Sequence, residues 1–223
     1  MNNTIPHKTP SPLWLPRRFH ASDHTSNIVD DCPYSLEQLT ALIALQHIEA
    51  LGPVSLSLLL AKAGSIEALI DGAIDPMEVT GLRAPCRQEL QQFLRNPRGV
   101  QQWQLAEKSL EWLVQTGSHI LVRDDPRFPP LLKELPDCPQ LIYLAGQINT
   151  FESVSISIVG TRKPSAGAVQ FTEHLAAELA EAGLLITSGM AYGIDAAAHR
   201  GSLKAGGKTT AVWAAGLDVV YPK

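Results

Sequence analysis

The stretch Val154-Ser155-Ile156-Ser157-Ile158-Val159-Gly160-Thr161-Arg162-Lys163-Pro164-Ser165-Ala166-Gly167 decides the fold. Its apolar positions, Val154, Ile156, Ile158 and Val159, predict a strand that stops at Gly160. Downstream, Phe171, Leu175 and Leu179 recur at helical spacing with Glu173, Glu178 and Glu181 away from them, which predicts an amphipathic helix ended by Gly183. Leu184 to Thr187 read as a second strand running into Ser188-Gly189-Met190-Ala191-Tyr192-Gly193-Ile194-Asp195. A short helix over Ala196 to Leu203, the turn Gly206-Gly207 and a third strand from Thr209 to Ala215 follow. Strand–helix–strand–helix–strand at this spacing makes an α/β unit with parallel strands and right-handed crossovers. The Ser153, Ser155, Ser157 alternation departs from the continuous apolar run of a strand buried on both faces. Small residues on that face are expected to let a helix approach closely.

All three strands end in glycine-containing loops, which gather on the carboxyl edge of the sheet, where open α/β folds bind ligands. The first loop has the makings of a phosphate site. Gly160 lets the backbone come close, Ser165 caps the following helix and offers a hydroxyl, and a helix N-terminus favours an anion. Arg162 adds a planar fork suited to phosphate oxygens, and Lys163 adds a point charge. Ser188 and Gly189 stand beside them on the second loop, with Arg200, Lys204 and Lys208 on or near the next turn. From Glu152 onward six basic residues (Arg162, Lys163, Arg200, Lys204, Lys208, Lys223) face six acidic ones (Glu152, Glu173, Glu178, Glu181, Asp195, Asp218). Four of the acids fall outside the loops, so a neutral balance hides a positive site.

Other chemistries fit less well. A dinucleotide cofactor would prefer GxGxxG after the first strand, and this loop lacks that spacing. Ser202-Leu203-Lys204-Ala205-Gly206-Gly207-Lys208-Thr209 imitates a P-loop but precedes a strand where a true one follows it. Asp195 and His199 stand one helical turn apart, either as an acid–base pair or as a helix-start cap with a hydrogen-bonded histidine. No activated nucleophile accompanies them. No catalytic residue, metal ligand or cofactor is therefore assigned.

Toward the N-terminus the texture changes. Residues 1–33, rich in Pro, Ser, Asn, His and Thr, are expected to be disordered. Residues 34–118 predict a helical domain. Its helices begin after Ser35 as N-cap and continue over Val54 to Ala63, Ser65 to Ile70, Pro85 to Leu94 and Val100 to Gln115, the last burying Trp103, Leu110, Trp112 and Leu113. Ala50-Leu51-Gly52-Pro53-Val54 and Val79-Thr80-Gly81-Leu82 resemble helix-hairpin-helix turns. Ordinary αα turns with glycine at a helix C-cap would read the same way. Residues 119–152 form a connecting segment holding Asp124-Asp125-Pro126-Arg127-Phe128-Pro129-Pro130 and a short strand, Leu141 to Ala145. The partial α/β domain occupies 153–223.

Composition bounds the class. The 223 residues are 45% hydrophobic with a net charge of −4, enough apolar material for a core and no general polybasic coat. The cysteines Cys32, Cys86 and Cys138 are scattered and odd in number, as free thiols in a reducing compartment would be. No apolar run approaches a membrane span, and the proline-broken N-terminus has no secretory h-region, so a cytoplasmic protein without membrane contact is expected.

Four motifs in order carry a resemblance: Ile158-Val159-Gly160-Thr161-Arg162-Lys163-Pro164-Ser165; Ser188 to Asp195 with Ala198-His199; Gly206-Gly207-Lys208-Thr209-Thr210-Ala211-Val212; and Gly216-Leu217-Asp218 with Tyr221-Pro222. Together with Asp125-Pro126-Arg127-Phe128-Pro129 and Leu141-Ile142-Tyr143-Leu144-Ala145-Gly146, this set resembles the DprA/Smf family across roughly residues 35–223. The resemblance implies a SAM-like helical domain followed by a Rossmann-like domain. It implies binding of incoming single-stranded DNA during natural transformation, protection of that DNA, help in loading RecA, and a homodimer, with no enzymatic activity. In the family the Rossmann-like domain continues past the Tyr-Pro motif and carries the dimer contacts there, so this chain is expected to hold a C-terminally truncated domain. The alternative is a nucleotide- or phosphoribosyl-processing enzyme of the related lysine-decarboxylase-like Rossmann group, whose PGGxGTxxE-like motif is absent here.

Overall fold

A computed structural model describes residues 32–212 and 215–219. Nearly all of the segment expected to be disordered, residues 1–31, lies outside them, as do residues 213 and 214 of the expected third strand. The chain divides into two compact units between Val154 and Ser155.

The first unit is built around α1 (Leu36–Gln46), in which every residue from Leu39 to Leu45 is buried. A helix apolar all round must sit at the centre of its neighbours. Ser35 caps it as expected, in a full capping box with Gln38. Around it pack α2 (Pro53–Ala63), α3 (Ile66–Ile70), α4 (Ala84–Arg95) and α5 (Gln101–Thr116), with Leu56, Leu59, Leu69, Leu90, Phe93, Trp103 and Leu113 in one core. Trp112 is only partly buried against that core, where full burial was expected. Neither turn glycine sits at a helix C-cap. His47 caps α1, Gly52 is the N-cap of α2 at φ −76°, and Gly81, at φ +93°, stands two residues ahead of Arg83, the N-cap of α4. The glycines therefore precede helix N-termini, as in a helix-hairpin-helix.

Residues 119–152 do more than connect. β1 (His119–Val122) pairs antiparallel with β2 (Leu141–Leu144). Ile120, Val122 and Leu141 face the helical core, whereas Leu121 turns to a smaller core with Phe128, Cys138 and Ile142. A strand buried on both faces shows no alternation, which is why His119-Ile120-Leu121-Val122 is silent as a pattern. The loop between the strands, which includes α6 (Pro130–Lys133), is tied at Asp125. The Asp125 carboxylate accepts bonds from the Arg127 backbone N–H (2.8 Å), Nε (3.0 Å) and Nη2 (2.7 Å). Burial raises the pKa of this carboxyl, but the Arg127 hydrogen bonds and charge outweigh it and hold the value below the usual range.

The second unit is the expected parallel sheet. β3 (Ser155–Ser157), β4 (Leu185–Ser188) and β5 (Thr209–Ala211) lie in the order β3-β4-β5, with Ile156 level with Ile186 and Ile186 level with Thr209. α7 (Ala166–Glu181) and α8 (Ile194–Lys204) contact each other and β4, and so share one face. Two expectations change here. Ile158 and Ile186 meet the helices, while Ser155 and Ser157 point to the other face and are exposed. The buried side of α7 is Thr172, Ala176 and Ala180, and Phe171 is 69% exposed. Small side chains win because the helices come so close. A Cβ on Gly201 would lie 2.2 Å from the Glu173 carbonyl oxygen and 2.9 Å from Ala176 Cβ.

Two outcomes test these contacts. Asp125→Ala removes acceptors from a charged donor and should cost about 3 kcal/mol at neutral pH. Because the folded pKa is depressed, that stability is present above the unfolded value of about 4 and is lost as pH falls toward the folded value. Urea titrations of wild type and variant should therefore converge in acid. Gly201→Ala, favourable by about 1 kcal/mol in an open helix, should instead destabilise by about 1–3 kcal/mol because the helices must part. Thermal melting reads the sign.

Candidate phosphate-binding loop

The loop after β3 is wedged between two helix N-termini. β3 extends to Ile158, whose N–H donates to the Thr187 carbonyl (3.0 Å), and the chain then turns at Gly160. No side chain fits there, since a Cβ would lie 2.7 Å from Ile194 Cγ1. Gly193 is the N-cap of α8, at φ +89°, and a Cβ on it would lie 2.3 Å from the Thr161 carbonyl oxygen. That carbonyl accepts the Ile194 N–H at 3.2 Å. The start of α8 is thus pinned under the loop, and both glycines are steric requirements.

On this base the loop presents its cations. The Lys163 N–H donates to Thr161 Oγ1 (3.2 Å), which tightens the turn. Ser165 Oγ accepts the Ala168 N–H (3.2 Å) as the N-cap of α7 and keeps its own proton to donate. Arg162 and Lys163 are exposed, and among the described residues their side chains form no ion pair. An unpaired guanidinium and ammonium beside a capped 16-residue helix make a site suited to an oxyanion.

The neighbouring residues brace this loop. The buried Ser188 hydroxyl donates to the Ile158 carbonyl (2.5 Å), joining the ends of β3 and β4. Gly189 admits the buried Asp195, because a Cβ would lie 2.5 Å from Asp195 Oδ2. His199 Nε2 bonds the Gly189 carbonyl (2.7 Å) and Nδ1 meets Thr209 Oγ1 (2.7 Å). A carbonyl only accepts, so Nε2 carries the proton. Both ring nitrogens of His199 are thus engaged. Asp195 is not the cap; Gly193 is, and Asp195 is the second residue of α8.

The remaining cations lie elsewhere. Arg200 Nε bonds Glu173 Oε1 (2.8 Å) and Lys204 Nζ bonds Glu173 Oε2 (2.6 Å), along the flank where α7 meets α8. Lys204 first, then Arg200, lowers the Glu173 pKa through these hydrogen bonds. Lys208 precedes β5, and Thr209 is level with Ile186, so Lys208 stands at the amino edge of the sheet, opposite the loop. Strand polarity alone carries that signal, because a residue opening a parallel strand cannot share an edge with loops that close its neighbours. The Glu173 clamp had no sequence signal beyond charge. Among the described residues no group of three His, Cys, Asp or Glu side chains could hold a metal ion, and no helix is long and apolar enough to cross a membrane.

Comparison with known proteins agrees with this architecture. Residues 119–223 match the family model described as DNA recombination-mediator protein A. The chain is 39% identical over 117 residues to the protein Smf of Synechocystis, covering 51% of this chain and 29% of that protein. It is 31% identical over 163 residues to the protein Smf of Escherichia coli, covering 73% and 40%. The matched part thus spans less than half the length of these curated relatives. Its fold is similar to the X-ray structure of DNA processing protein A (DprA) from Streptococcus pneumoniae, with TM-score 0.61 and 28% identity over 81% of this chain and 59% of that one. By family model, relatives and fold together, the chain belongs to the DprA/Smf family of DNA-processing proteins.

Proposed function

We propose that the chain binds the backbone of single-stranded DNA through the loop from Gly160 to Ser165. In the longer proteins of its family such a site would serve DNA processing in natural transformation, protecting incoming strands and helping RecA load, from a homodimer. The observation that carries the reading is the pair Arg162 and Lys163, exposed and unpaired among the described residues on a loop that glycine contacts hold rigid. Such a loop offers phosphate its fork, its point charge and the Ser165 hydroxyl with little reorganisation. Nothing in it reads a base edge, so binding is expected to be sequence-tolerant. Ser188, Gly189 and His199 act indirectly, by fixing the second loop beneath the first.

The test is the salt dependence of binding. Each phosphate neutralised on a single strand contributes about −0.7 to the log–log slope. Arg162→Ala should flatten the slope by roughly 0.7 and weaken all oligonucleotides alike, and Arg162→Lys should recover only part of the loss, because a point charge replaces a fork. Titration of one labelled oligonucleotide at several salt concentrations checks both; parallel slopes for wild type and Arg162→Ala would sink the reading. His199→Gln supplies the contrast. It should lower stability by about 1–2 kcal/mol through lost hydrogen bonds, yet leave binding per folded molecule and the slope nearly unchanged, as melting and the same titration report.

A further inference from the structure

We infer that Arg200 and Lys204 form a second phosphate subsite for the same strand, and that Glu173 holds it closed by occupying the place of a phosphate. This rests on the loop reading above, because it concerns where the strand goes next. The geometry begins with Gly201. Lacking a Cβ, it lets α8 press on the backbone carbonyl of Glu173. Its neighbour Arg200 and, one turn on, Lys204 therefore flank the Glu173 side chain, and each takes one carboxylate oxygen. Two cations on two oxygens of one anion is also how a phosphate's non-bridging oxygens would be held.

The cluster is built to exchange that partner. Arg200 and Lys204 are 49% and 67% exposed, so an incoming anion can reach both without moving the backbone. Ion pairs this exposed hold weakly. Two positive charges against one negative leave a surplus of one, which attracts a polyanion even while the clamp is shut. The position suits a continuing strand. Ile194, bonded to Thr161 beside Arg162, opens α8. Arg200 and Lys204 follow at about 9 and 15 Å along the helix axis. A strand seated on the loop and running along α8 meets the cluster within a few nucleotides.

Glu173→Gln, which keeps the shape and removes the charge, tests this in the full chain with a long labelled oligothymidylate. The expected result is several-fold tighter binding at low salt and a log–log salt slope steeper than wild type by about 0.7, for one further phosphate. Combining it with Arg200→Gln and Lys204→Gln should abolish the gain. Glu181→Gln makes the same charge change further along α7 and should leave the slope alone. Glu173→Asp, too short to hold both cations, should fall between wild type and Glu173→Gln, and gives a second measure if the first variant folds poorly. A Glu173→Gln slope parallel to wild type overturns the inference, and so does an equal steepening by Glu181→Gln, which would reduce the effect to net charge. Arg162→Ala, measured alongside, reports on the loop independently, so failure of the subsite and failure of the loop are separately visible.

Discussion

Helix α8 reaches its place only because three positions around it carry no side chain. Gly160 leaves room for Ile194, Gly193 for the Thr161 carbonyl, and Gly201 for the carbonyl of Glu173. Cβ atoms at these points would fall between 2.2 and 2.7 Å from their neighbours, closer than packed atoms tolerate. The first two contacts pin the helix start under the loop after β3, and the third presses its middle against α7. The positions of Arg162, Lys163, Arg200 and Lys204 descend from these approaches. The loop bearing Arg162 and Lys163 rests on the start of α8, and Arg200 and Lys204 straddle Glu173 because Gly201 brings them there.

The hydrogen bonds then lock what the steric contacts permit. Ser188 ties β4 to the end of β3, and His199 reaches from the middle of α8 to the Gly189 carbonyl and to Thr209 on β5. The Thr209 hydroxyl, which meets His199 Nδ1, also lies 2.7 Å from the Ile186 carbonyl. One imidazole thus joins the second loop, the helix and two strands. Its two hydrogen bonds fix the position of the second loop relative to the helix and β5.

The strong periodic signals were legible. Ser35 as a cap, helices α1 to α5 and the βαβαβ order of the second unit all stand where apolar spacing and glycine stops put them. Interfaces made by small residues were not. Phe171, Leu175 and Leu179 outweigh Thr172, Ala176 and Ala180 on any count of apolar character, yet burial follows the closest approach of helices, which only the smaller set allows. The β1 strand was lost for a related reason, since burial on both faces erases its alternation. The place of Arg162 and Lys163 in the fold was readable, because a glycine stop between strand and helix puts them on the connecting loop. Lys208 was misplaced by proximity in the chain, although the parallel order already contained the answer. The tie between Asp125 and Arg127 was visible as letters but not as a buried ion pair.

Net charge is a poor guide to a protein of this kind, for a physical reason. At physiological ionic strength charges separated by more than about 8 Å are largely screened, so what a phosphate feels is set by its immediate neighbours and not by the total of −4. Glu181 lies eight residues beyond Glu173, about 12 Å along α7, and among the described residues forms no ion pair with Arg200 or Lys204. Glu173 touches both. One carboxylate at contact distance therefore matters more to that flank than all the remote acids together, whereas the loop at Arg162 has no such neighbour in direct contact among the described residues. The same number of cations can then stand unpaired in one place and paired in another. The difference lies in pairing, which composition does not record and packing at a single glycine decides.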